Sequence, residues 1–264
     1  MVYPGISIGV DRLGDLCSLL YGGVAKSSYI NVFSKLTMKH LFDVAHPSVE
    51  IAGRSERFPV HRIYCVGWNY AAHVREMGSE PDREPPIFFL KPRDAITPDG
   101  SRVAYPPATE NLHYEIELVI AIGRDGQAIA KEQAFDHIWG YGVGIDMTRR
   151  DLQAVAKSRG QPWEASKSFD QSAPISELHA VQTIGHPDSG RIWLDVNGET
   201  RQDGDIDQLI WGVPEIIEHL SALFHLRAGD LIYTGTPAGV SAIERGDRLR
   251  GGVDGVATIE IEIV

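Results

Sequence analysis

The stretch His113-Tyr-Glu-Ile-Glu-Leu-Val-Ile-Ala-Ile-Gly123 predicts a β-strand on which two carboxylates share a face. Apolar and β-branched residues fill most of it, and Gly123 begins a turn after it. Because side chains alternate between the faces of a strand, Glu115 and Glu117 point the same way. Their Cα atoms should lie roughly 6.5–7 Å apart, so both carboxylates can reach one cation. The alternative is an exposed strand face that carries two solvated glutamates.

The composition of the chain narrows the classes of protein to which it can belong. At 264 residues, with 43% hydrophobic and 23% charged residues, it has enough apolar material for one sizeable domain. Its 25 basic and 36 acidic residues give a net charge of −11, which argues against nucleic acid or an anionic membrane as a partner. No stretch is apolar for long enough to span a bilayer, and the N-terminus does not resemble a signal peptide.

The two cysteines, Cys17 and Cys65, form no CxxC pair and belong to no His/Cys cluster. This pattern excludes a thiolate zinc site and makes a disulfide framework an unfavoured interpretation. We therefore expect a cytoplasmic protein.

The chain is predicted to divide into residues 1–59, an N-terminal extension and short lead-in that is partly disordered, and residues 60–264, the catalytic domain. Residues 1–37 show little periodicity and are rich in Gly and Ser, and residues 43–59 have the composition of a polar loop. In the remainder strands dominate, helices are few, and no GxGxxG or P-loop motif occurs. These features predict an α+β fold with a mixed β-sheet rolled into a barrel-like domain.

A short helix is predicted within Gly67-Trp-Asn-Tyr-Ala-Ala-His-Val-Arg-Glu-Met-Gly78, where Asn69 is a candidate cap. His73 and Glu76 are three residues apart, so they share a helix face and can interact. The alternative is an incidental pair on a solvated helix. The proline-rich, charged loop 79–86 that follows is either a lid or a simple connector.

A third acidic residue, Asp146, ends a predicted strand over residues 138–146. Three glycines in this strand leave little side-chain volume on it. It is interpreted either as a metal ligand or as the cap of a helix predicted over residues 147–160. Arg150 and Gln153 share a face of that helix, near Asp146.

Two further segments carry candidate functional residues. Lys167 lies in a loop among small residues. Gly235 and Thr236 lie in a Gly/Pro turn that can present backbone and hydroxyl donors to an anion.

Glu115, Glu117 and Asp146 together offer only oxygen ligands. Such a set suits a hard cation, Mg²⁺, Mn²⁺ or Ca²⁺, rather than Zn²⁺ or copper. A second alternating pair, Glu260 and Glu262, is interpreted as a solvated strand face, because no other candidate functional residue lies near it in the sequence.

Seven segments, in order, resemble the fumarylacetoacetate hydrolase family. They are Gly67-x-Asn-Tyr-x-x-His-x-x-Glu76, Phe89-Leu-Lys-Pro92, His113-x-Glu-x-Glu117, Gly144-x-Asp-Met-Thr148, Arg150-Asp-x-Gln153, Lys167-Ser-Phe-Asp170 and Thr234-Gly-Thr-Pro237. The resemblance spans about residues 60–264 and preserves the order of the segments. Within the family the chain is most similar to acylpyruvate and fumarylpyruvate hydrolases, through Pro106-Pro-Ala-Thr-x-x-Leu-His113 and Asp146-Met-Thr-Arg-Arg-Asp-Leu152.

The resemblance implies a role for each candidate residue. It implies a divalent metal at the carboxylate trio, a base formed by His73 with Glu76, and stabilisation of negative charge by Lys167. It places Arg150, Gln153, Gly235 and Thr236 around the substrate, and it implies a homodimer of rolled β-domains. One position departs from the pattern: the residue after Gly67 is usually basic in this family and is Trp68 here, which removes a cation that would hold a substrate carboxylate from that side.

The expected activity is metal-dependent hydrolysis of the C–C bond of an acylpyruvate, a small 2,4-dioxo acid. Fumarylpyruvate, cleaved to fumarate and pyruvate in aromatic (gentisate) catabolism, is the expected substrate, with Mg²⁺ or Mn²⁺ as cofactor and Ca²⁺ as a further candidate. The metal would act as a Lewis acid towards the departing enolate, while His73 takes a proton from the attacking water.

Two alternatives stay open at this point. One is oxaloacetate decarboxylation or 2-oxo acid keto–enol isomerisation by a member of the same family, since both need the carboxylate trio. The other is a non-enzymatic protein in which a cation merely staples two strands, and which has no need of His73, Glu76 or Lys167.

Overall fold

The structure is a computed structural model that describes residues 41–78, 80 and 83–264. Residues 46–264 form one compact unit. The predicted extension over residues 1–37 lies outside the described residues, so it stays a prediction, as does a domain boundary at residue 60. In the described part of the chain, no helix is long and apolar enough to cross a membrane.

Short strands outnumber helices, as the α+β prediction requires. The strands are β1 Ser48–Glu50, β2 Arg57–Pro59, β3 Ile63–Gly67, β4 Ile87–Lys91, β5 Ile96–Pro98, β6 Arg102–Val103, β7 Leu112–His113, β8 Ile116–Ile122, β9 Ile138–Ile145, β10 Thr148–Arg149, β11 Ala173–Ile175, β12 His179–Ala180, β13 Arg191–Val196, β14 Glu199–Asp205, β15 Leu231–Tyr233, β16 Ala242–Ile243, β17 Arg248–Val253 and β18 Ala257–Ile263. The helices are α1 Ala71–Glu76, α2 Arg150–Ser158, α3 Glu164–Lys167, α4 Val181–Ile184 and α5 Val213–Leu223. Short 3₁₀ helices cover Arg93–Ala95, Lys131–His137 and Ile206–Gln208.

Two sheets form the body of the molecule. The larger runs in the order β4-β3-β15-β8-β9-β11-β5, with β12 beside β9, and it mixes parallel with antiparallel pairs. The second runs β14-β13-β17-β18-β6, and a small sheet β10-β7-β16 and the hairpin β1-β2 complete the set. This mixed, curled sheet with few helices confirms the predicted rolled fold.

Strand β8 lies inside the larger sheet and is buried along its whole length. Ile116 and Leu118 pack into a core on one face, while Val119 and Ala121 pack into a second core on the other. Each buried aliphatic side chain of this kind contributes about 1.5–3 kcal/mol through the hydrophobic effect. Burial on both faces explains why the strand is almost continuously apolar.

The predicted strand over residues 113–123 is interrupted in the structure. β7 ends at His113 and pairs with β10 and β16, whereas β8 begins at Ile116 and pairs with β9 and β15. Glu115 therefore lies immediately before β8 rather than inside it. The chain passes from the small sheet to the large one at this point, and periodicity alone does not reveal such a change of partners.

The interpretation of residues 43–59 as a polar loop is wrong in part. Ser48–Glu50 and Arg57–Pro59 form the antiparallel hairpin β1-β2. Val49 and Phe58 are buried in the second core, so this hairpin is anchored by packing. The residues between them are mostly exposed and several are charged, so the sequence pattern of this segment does not reveal the two buried side chains.

Three other local features have direct causes in the sequence. Asn197 and Gly198 connect β13 to β14 with φ of 54° and 82°, both positive as a type I′ hairpin turn requires. Helix α5 begins with Pro214 in its first turn. The glycines of β9 allow close approach of neighbouring side chains, since a Cβ at Gly144 would lie 2.4 Å from the Tyr233 ring.

Candidate metal centre and active site

The pairing of β8 with β9 brings the three predicted metal ligands together. Glu117 lies opposite Gly144 in the register, and the backbone N–H of Asp146 donates to the carbonyl of Glu115 at 2.8 Å. One carboxylate oxygen from each of Glu115, Glu117 and Asp146 lies within 4.8 Å of the others, and all three side chains are buried. The alternative of a solvated strand face is therefore wrong for this pair.

Three cationic side chains balance these carboxylates. The Lys167 ammonium donates at 2.7 Å to Glu115 Oε2 and at 2.7 Å to Asp146 Oδ2. Lys91 lies 2.8 Å from Asp146 Oδ1, an ion pair without regular hydrogen-bond geometry, and Arg150 donates to Glu115 Oε1. Buried charges persist only when they are paired in this way.

The electrostatic environment separates the two glutamates. Burial would raise the pKa of Glu115, but Lys167 and Arg150 together lower it below its usual range. Burial raises the pKa of Glu117 well above its ordinary value, and the carboxylates of Asp146 and Glu115 raise it further. Glu117 accepts a hydrogen bond from the Gly235 N–H at 2.7 Å. A divalent cation would compensate the charge that disfavours ionised Glu117, so the residues present fit such an ion.

Asp146 does not cap the helix that follows it. Helix α2 begins at Arg150 rather than at residue 147, its N-cap position is Arg149, and Asp146 is fully buried among the cations. The intervening Thr148 and Arg149 form β10. The structure therefore excludes Asp146 as a helix cap and leaves the interpretation as a candidate metal ligand.

The predicted histidine–glutamate pair is present on helix α1. His73 is buried, and its Nδ1 lies 3.0 Å from Glu76 Oε2. The other oxygen of Glu76 accepts a hydrogen bond from the Gly239 N–H at 2.9 Å, which fixes the carboxylate. Burial opposes ionisation of Glu76, yet the hydrogen bonds from His73 and Gly239 lower its pKa. The pair is therefore not an incidental contact on a solvated helix.

The loop after β15 supplies the remaining wall of the site. Gly235 has φ of +104°, and a Cβ there would lie 2.7 Å from Asn69 Cβ, so the position requires glycine. Asn69 does not cap α1; its side-chain amide donates to the Thr234 carbonyl at 2.8 Å and accepts from the Trp211 N–H at 2.7 Å. Asn69 thereby fixes the loop that presents Gly235 and Thr236.

Several of these groups line one cleft. Its walls include His73, the metal-binding candidates Glu115 and Glu117, and four apolar or aromatic residues. The full lining is Val66, Gly67, Trp68, His73, Met77, Phe89, Glu115, Glu117, Arg150, Gln153, Lys167 and Thr236. Residues 79, 81 and 82 of the candidate lid lie outside the described residues, so the lid stays a prediction.

One predicted site residue has local structure that differs from expectation. Lys167 ends the short helix α3 rather than lying in a loop, and it is buried. Gln153 accepts a hydrogen bond from Arg150 Nη1 at 2.6 Å, so these two side chains orient each other at the cleft wall.

Sequence reasoning missed two buried residues that support the site. Lys91 had a signal, since it belongs to the quoted Phe-Leu-Lys-Pro segment. Gln202 had none, because it lies in a strand of polar residues. Its side chain accepts from the Ile116 N–H at 3.0 Å and donates to Thr236 Oγ1 at 2.8 Å, which ties β8 to the Thr236 loop.

The rolled mixed sheet holds an all-oxygen acidic trio, and two of its members, Glu115 and Glu117, line the same cleft as His73 of the histidine–carboxylate pair. This combination defines an enzyme site that can hold a divalent cation beside a general base.

Comparison with known proteins agrees with this class. Residues 62–264 match the family described as fumarylacetoacetate (FAA) hydrolase C-terminal. A fumarylpyruvate hydrolase of Ralstonia sp is 46% identical over 189 residues, which cover 71% of this chain and 98% of that protein. A mitochondrial oxaloacetate tautomerase of Rattus norvegicus is 44% identical over 201 residues, which cover 76% of this chain and 90% of that protein.

A crystal structure of fumarylpyruvate hydrolase from Pseudomonas aeruginosa, in complex with Mn²⁺ and pyruvate, matches with a TM-score of 0.84 and 54% identity. The match covers 86% of this chain and 99% of that one. The chain therefore belongs to the fumarylacetoacetate hydrolase family, as its motifs predict, and it is an enzyme. The Mn²⁺ of that relative and the acidic trio of this chain agree with the predicted divalent-metal cofactor.

Proposed function

We propose that this enzyme hydrolyses the C–C bond of an acylpyruvate, with fumarylpyruvate as substrate and fumarate and pyruvate as products. The observation that carries the proposal is that His73, paired with Glu76, lines the same cleft as Glu115 and Glu117 of the acidic trio. The Ralstonia and Pseudomonas relatives are fumarylpyruvate hydrolases by name, which supports this choice of substrate.

His73 is the proposed general base. Glu76 accepts a hydrogen bond from Nδ1–H, so Nε2 is the nitrogen left to take a proton from water. The Gly239 N–H holds Glu76 in place, and the buried ring cannot swing away. Water activated in this way attacks the carbonyl of the acyl group, a step for which a positioned base contributes about 10²–10⁴-fold.

The acidic trio is the proposed metal site, with Mg²⁺ or Mn²⁺ ahead of Ca²⁺. A bound cation would supply Lewis-acid stabilisation of the enolate that leaves as pyruvate. Lys167 contributes a fixed positive charge, because Asp146 and Glu115 raise its pKa against the opposing effect of burial. Arg150, Gln153, Gly235 and Thr236 line or shape the cleft and are proposed to orient the substrate.

The Thr236 hydroxyl accepts a hydrogen bond from Gln202, so its own proton is available to donate to a substrate oxygen. Donors that are fixed before substrate binds cost no reorganisation during the reaction.

The test is a direct assay with purified enzyme, fumarylpyruvate and Mg²⁺ or Mn²⁺. We expect loss of the 2,4-dioxo acid absorbance with formation of one fumarate for each pyruvate, and no reaction after chelation of the metal. Fumarylpyruvate that stays intact with either metal would contradict the proposal.

A second candidate function is tautomerisation of oxaloacetate, favoured by the 44% identity to the rat enzyme. Keto–enol conversion needs no hydrolytic attack. If oxaloacetate enolises at a metal-dependent rate while acylpyruvates stay intact, this second function replaces the first. Assembly as a homodimer and a cytoplasmic location stay predictions.

A further inference from the structure

The outer part of the cleft is a wall of aromatic rings. Trp68 and Phe89 line the cleft, and both pack against Trp163, with ring centroids 6.4 Å and 5.7 Å away respectively. A wall of flat apolar faces fits a flat, unsaturated acyl segment.

Each end of this wall carries a lysine ammonium. At the inner end Lys167 lies 5.0 Å from the centroid of the Phe89 ring, and at the other end Lys157 lies 4.6 Å from the centroid of the Trp68 ring. Both distances fall within the range of cation–π attraction, so the rings help to fix the two charges. The aromatic wall is therefore apolar along its length and has a lysine ammonium at each end.

Lys157 extends the stripe of helix α2 that already faces the cleft. It follows Arg150 by seven residues and Gln153 by four, and residues at these spacings share a helix face. The helical rise places Lys157 about 10 Å along the axis from Arg150. Burial lowers the pKa of Lys157, and the positive charge of Arg150 lowers it further, which agrees with a position near the cleft.

Lys157 also differs from the other lysines in the described part of the chain. Lys91, Lys131 and Lys167 each form an ion pair with a carboxylate. The half-buried ammonium of Lys157 makes no ion pair or hydrogen bond with any residue that the structure describes. A partly desolvated ammonium without an anion is costly, and a substrate carboxylate would supply the missing partner.

Trp68 adds an independent observation. Its φ is +58°, a left-handed conformation that is rare for a bulky residue. Backbone of this kind persists where the surrounding structure holds it, and it concentrates at ligand sites. Trp68 lines the cleft, and the Lys157 ammonium lies over its ring.

We propose that Lys157, held over the Trp68 ring, binds a second carboxylate at the distal end of the acyl group. The enzyme would thus select acylpyruvates that carry a carboxylate at each end, joined by a flat unsaturated segment. This inference rests on the proposed hydrolase function and names the residue that determines its specificity.

The experiment compares two substrates in three variants with Mg²⁺ present. Fumarylpyruvate has the distal carboxylate and acetylpyruvate lacks it. Lys157→Met should lower kcat/KM for fumarylpyruvate about 10- to 100-fold, the range for one lost hydrogen bond between charged groups. The loss should fall on KM, because the distal carboxylate contacts Lys157 in both the ground state and the transition state.

Acetylpyruvate turnover by the same preparation reports whether the variant is folded and catalytically intact, and it should stay within about threefold of wild type. Lys157→Arg should retain most of the preference for fumarylpyruvate. Arg159→Met is the matched control, since it removes one positive charge from an exposed position at the same end of α2 and should affect neither substrate.

The outcomes separate the two hypotheses. If wild type hydrolyses neither substrate, the proposed function is wrong and this inference falls with it. If wild type hydrolyses both and Lys157→Met lowers both by the same factor, or neither, the hydrolase function stands and the role of Lys157 is overturned. Equal losses in Lys157→Met and Arg159→Met would also overturn it, because the effect would then be long-range charge.

Discussion

Glu115-Ile-Glu117 and Glu260-Ile-Glu262 have the same alternation of glutamate and isoleucine, and the fold treats them in opposite ways. Glu115 and Glu117 are 5% and 2% exposed, whereas Glu260 is exposed and the Glu262 side chain is 34% exposed. Both segments bury their isoleucines. The difference lies in the other face of each strand.

The opposite face of β8 packs against a second core, so carboxylates on that side are desolvated and need compensating cations. The corresponding face of β18 meets water, and among the described residues the ion-pair partners of Glu262 are two arginines at long distance, Arg102 at 3.8 Å and Arg248 at 3.9 Å. Surface pairs of that kind contribute about 0–1 kcal/mol. An identical local pattern thus yields a buried acidic cluster or a solvated surface, according to what covers it.

The largest expected effect is on the buried pair. Glu115→Gln should lower metal-dependent hydrolysis by at least about 10³-fold, because the cation loses a charged ligand and Lys167 loses a partner. Saturating Mn²⁺ should raise the melting temperature of wild type and of Glu260→Gln, but not of Glu115→Gln. Equal activity in Glu115→Gln and Glu260→Gln would remove the functional distinction between the two strands.

The second prediction separates the metal ligands from the base. His73→Ala should lower hydrolysis about 10²–10⁴-fold while Mn²⁺ still raises the melting temperature as in wild type. Enolisation of oxaloacetate should suffer less, because it needs no hydrolytic water. A His73→Ala protein without Mn²⁺-dependent stabilisation would show that His73 is a ligand, and would extend the metal site beyond the strand pair.

The third prediction concerns the strand that faces Glu117. Gly144→Ala should destabilise the protein by about 1–3 kcal/mol, because the new methyl group would overlap the buried Tyr233 ring. The melting temperature should fall by about 2–10 °C in a thermal unfolding experiment. Thr258→Ala, at an exposed position of β18, is the control and should change it little. If both substitutions are neutral, the β8–β9 region packs less tightly than the structure shows.

The smallest effect is expected on the exposed pair. The double variant Glu260→Gln, Glu262→Gln should change the free energy of unfolding by no more than about 0.5 kcal/mol per substitution, with unchanged hydrolysis. Chemical denaturation and the fumarylpyruvate assay measure both quantities. A loss of more than about 2 kcal/mol would mean that these glutamates do more than face water.

Much of this site was predictable because its residues lie in short, local patterns. The three-residue spacing of His73 and Glu76 fixes them on one turn of helix, and the glycines of β9 and the Asn197-Gly198 turn have direct steric causes. The features that the sequence did not predict have a different origin. The hairpin at residues 48–59, the break after His113 and the role of Gln202 all depend on partners that are distant in the sequence.

The sequence by itself determined the strand periodicity, the all-oxygen chemistry of Glu115, Glu117 and Asp146, and the resemblance to a family. Side-chain alternation and ligand preference are local properties, so they can be read residue by residue. Only the tertiary structure decided which pair of glutamates is buried, and it did so through the β8–β9 register and the second core. It also placed Lys91, Lys167 and Arg150 around the trio, because charge compensation in a protein interior depends on distance in space rather than in sequence.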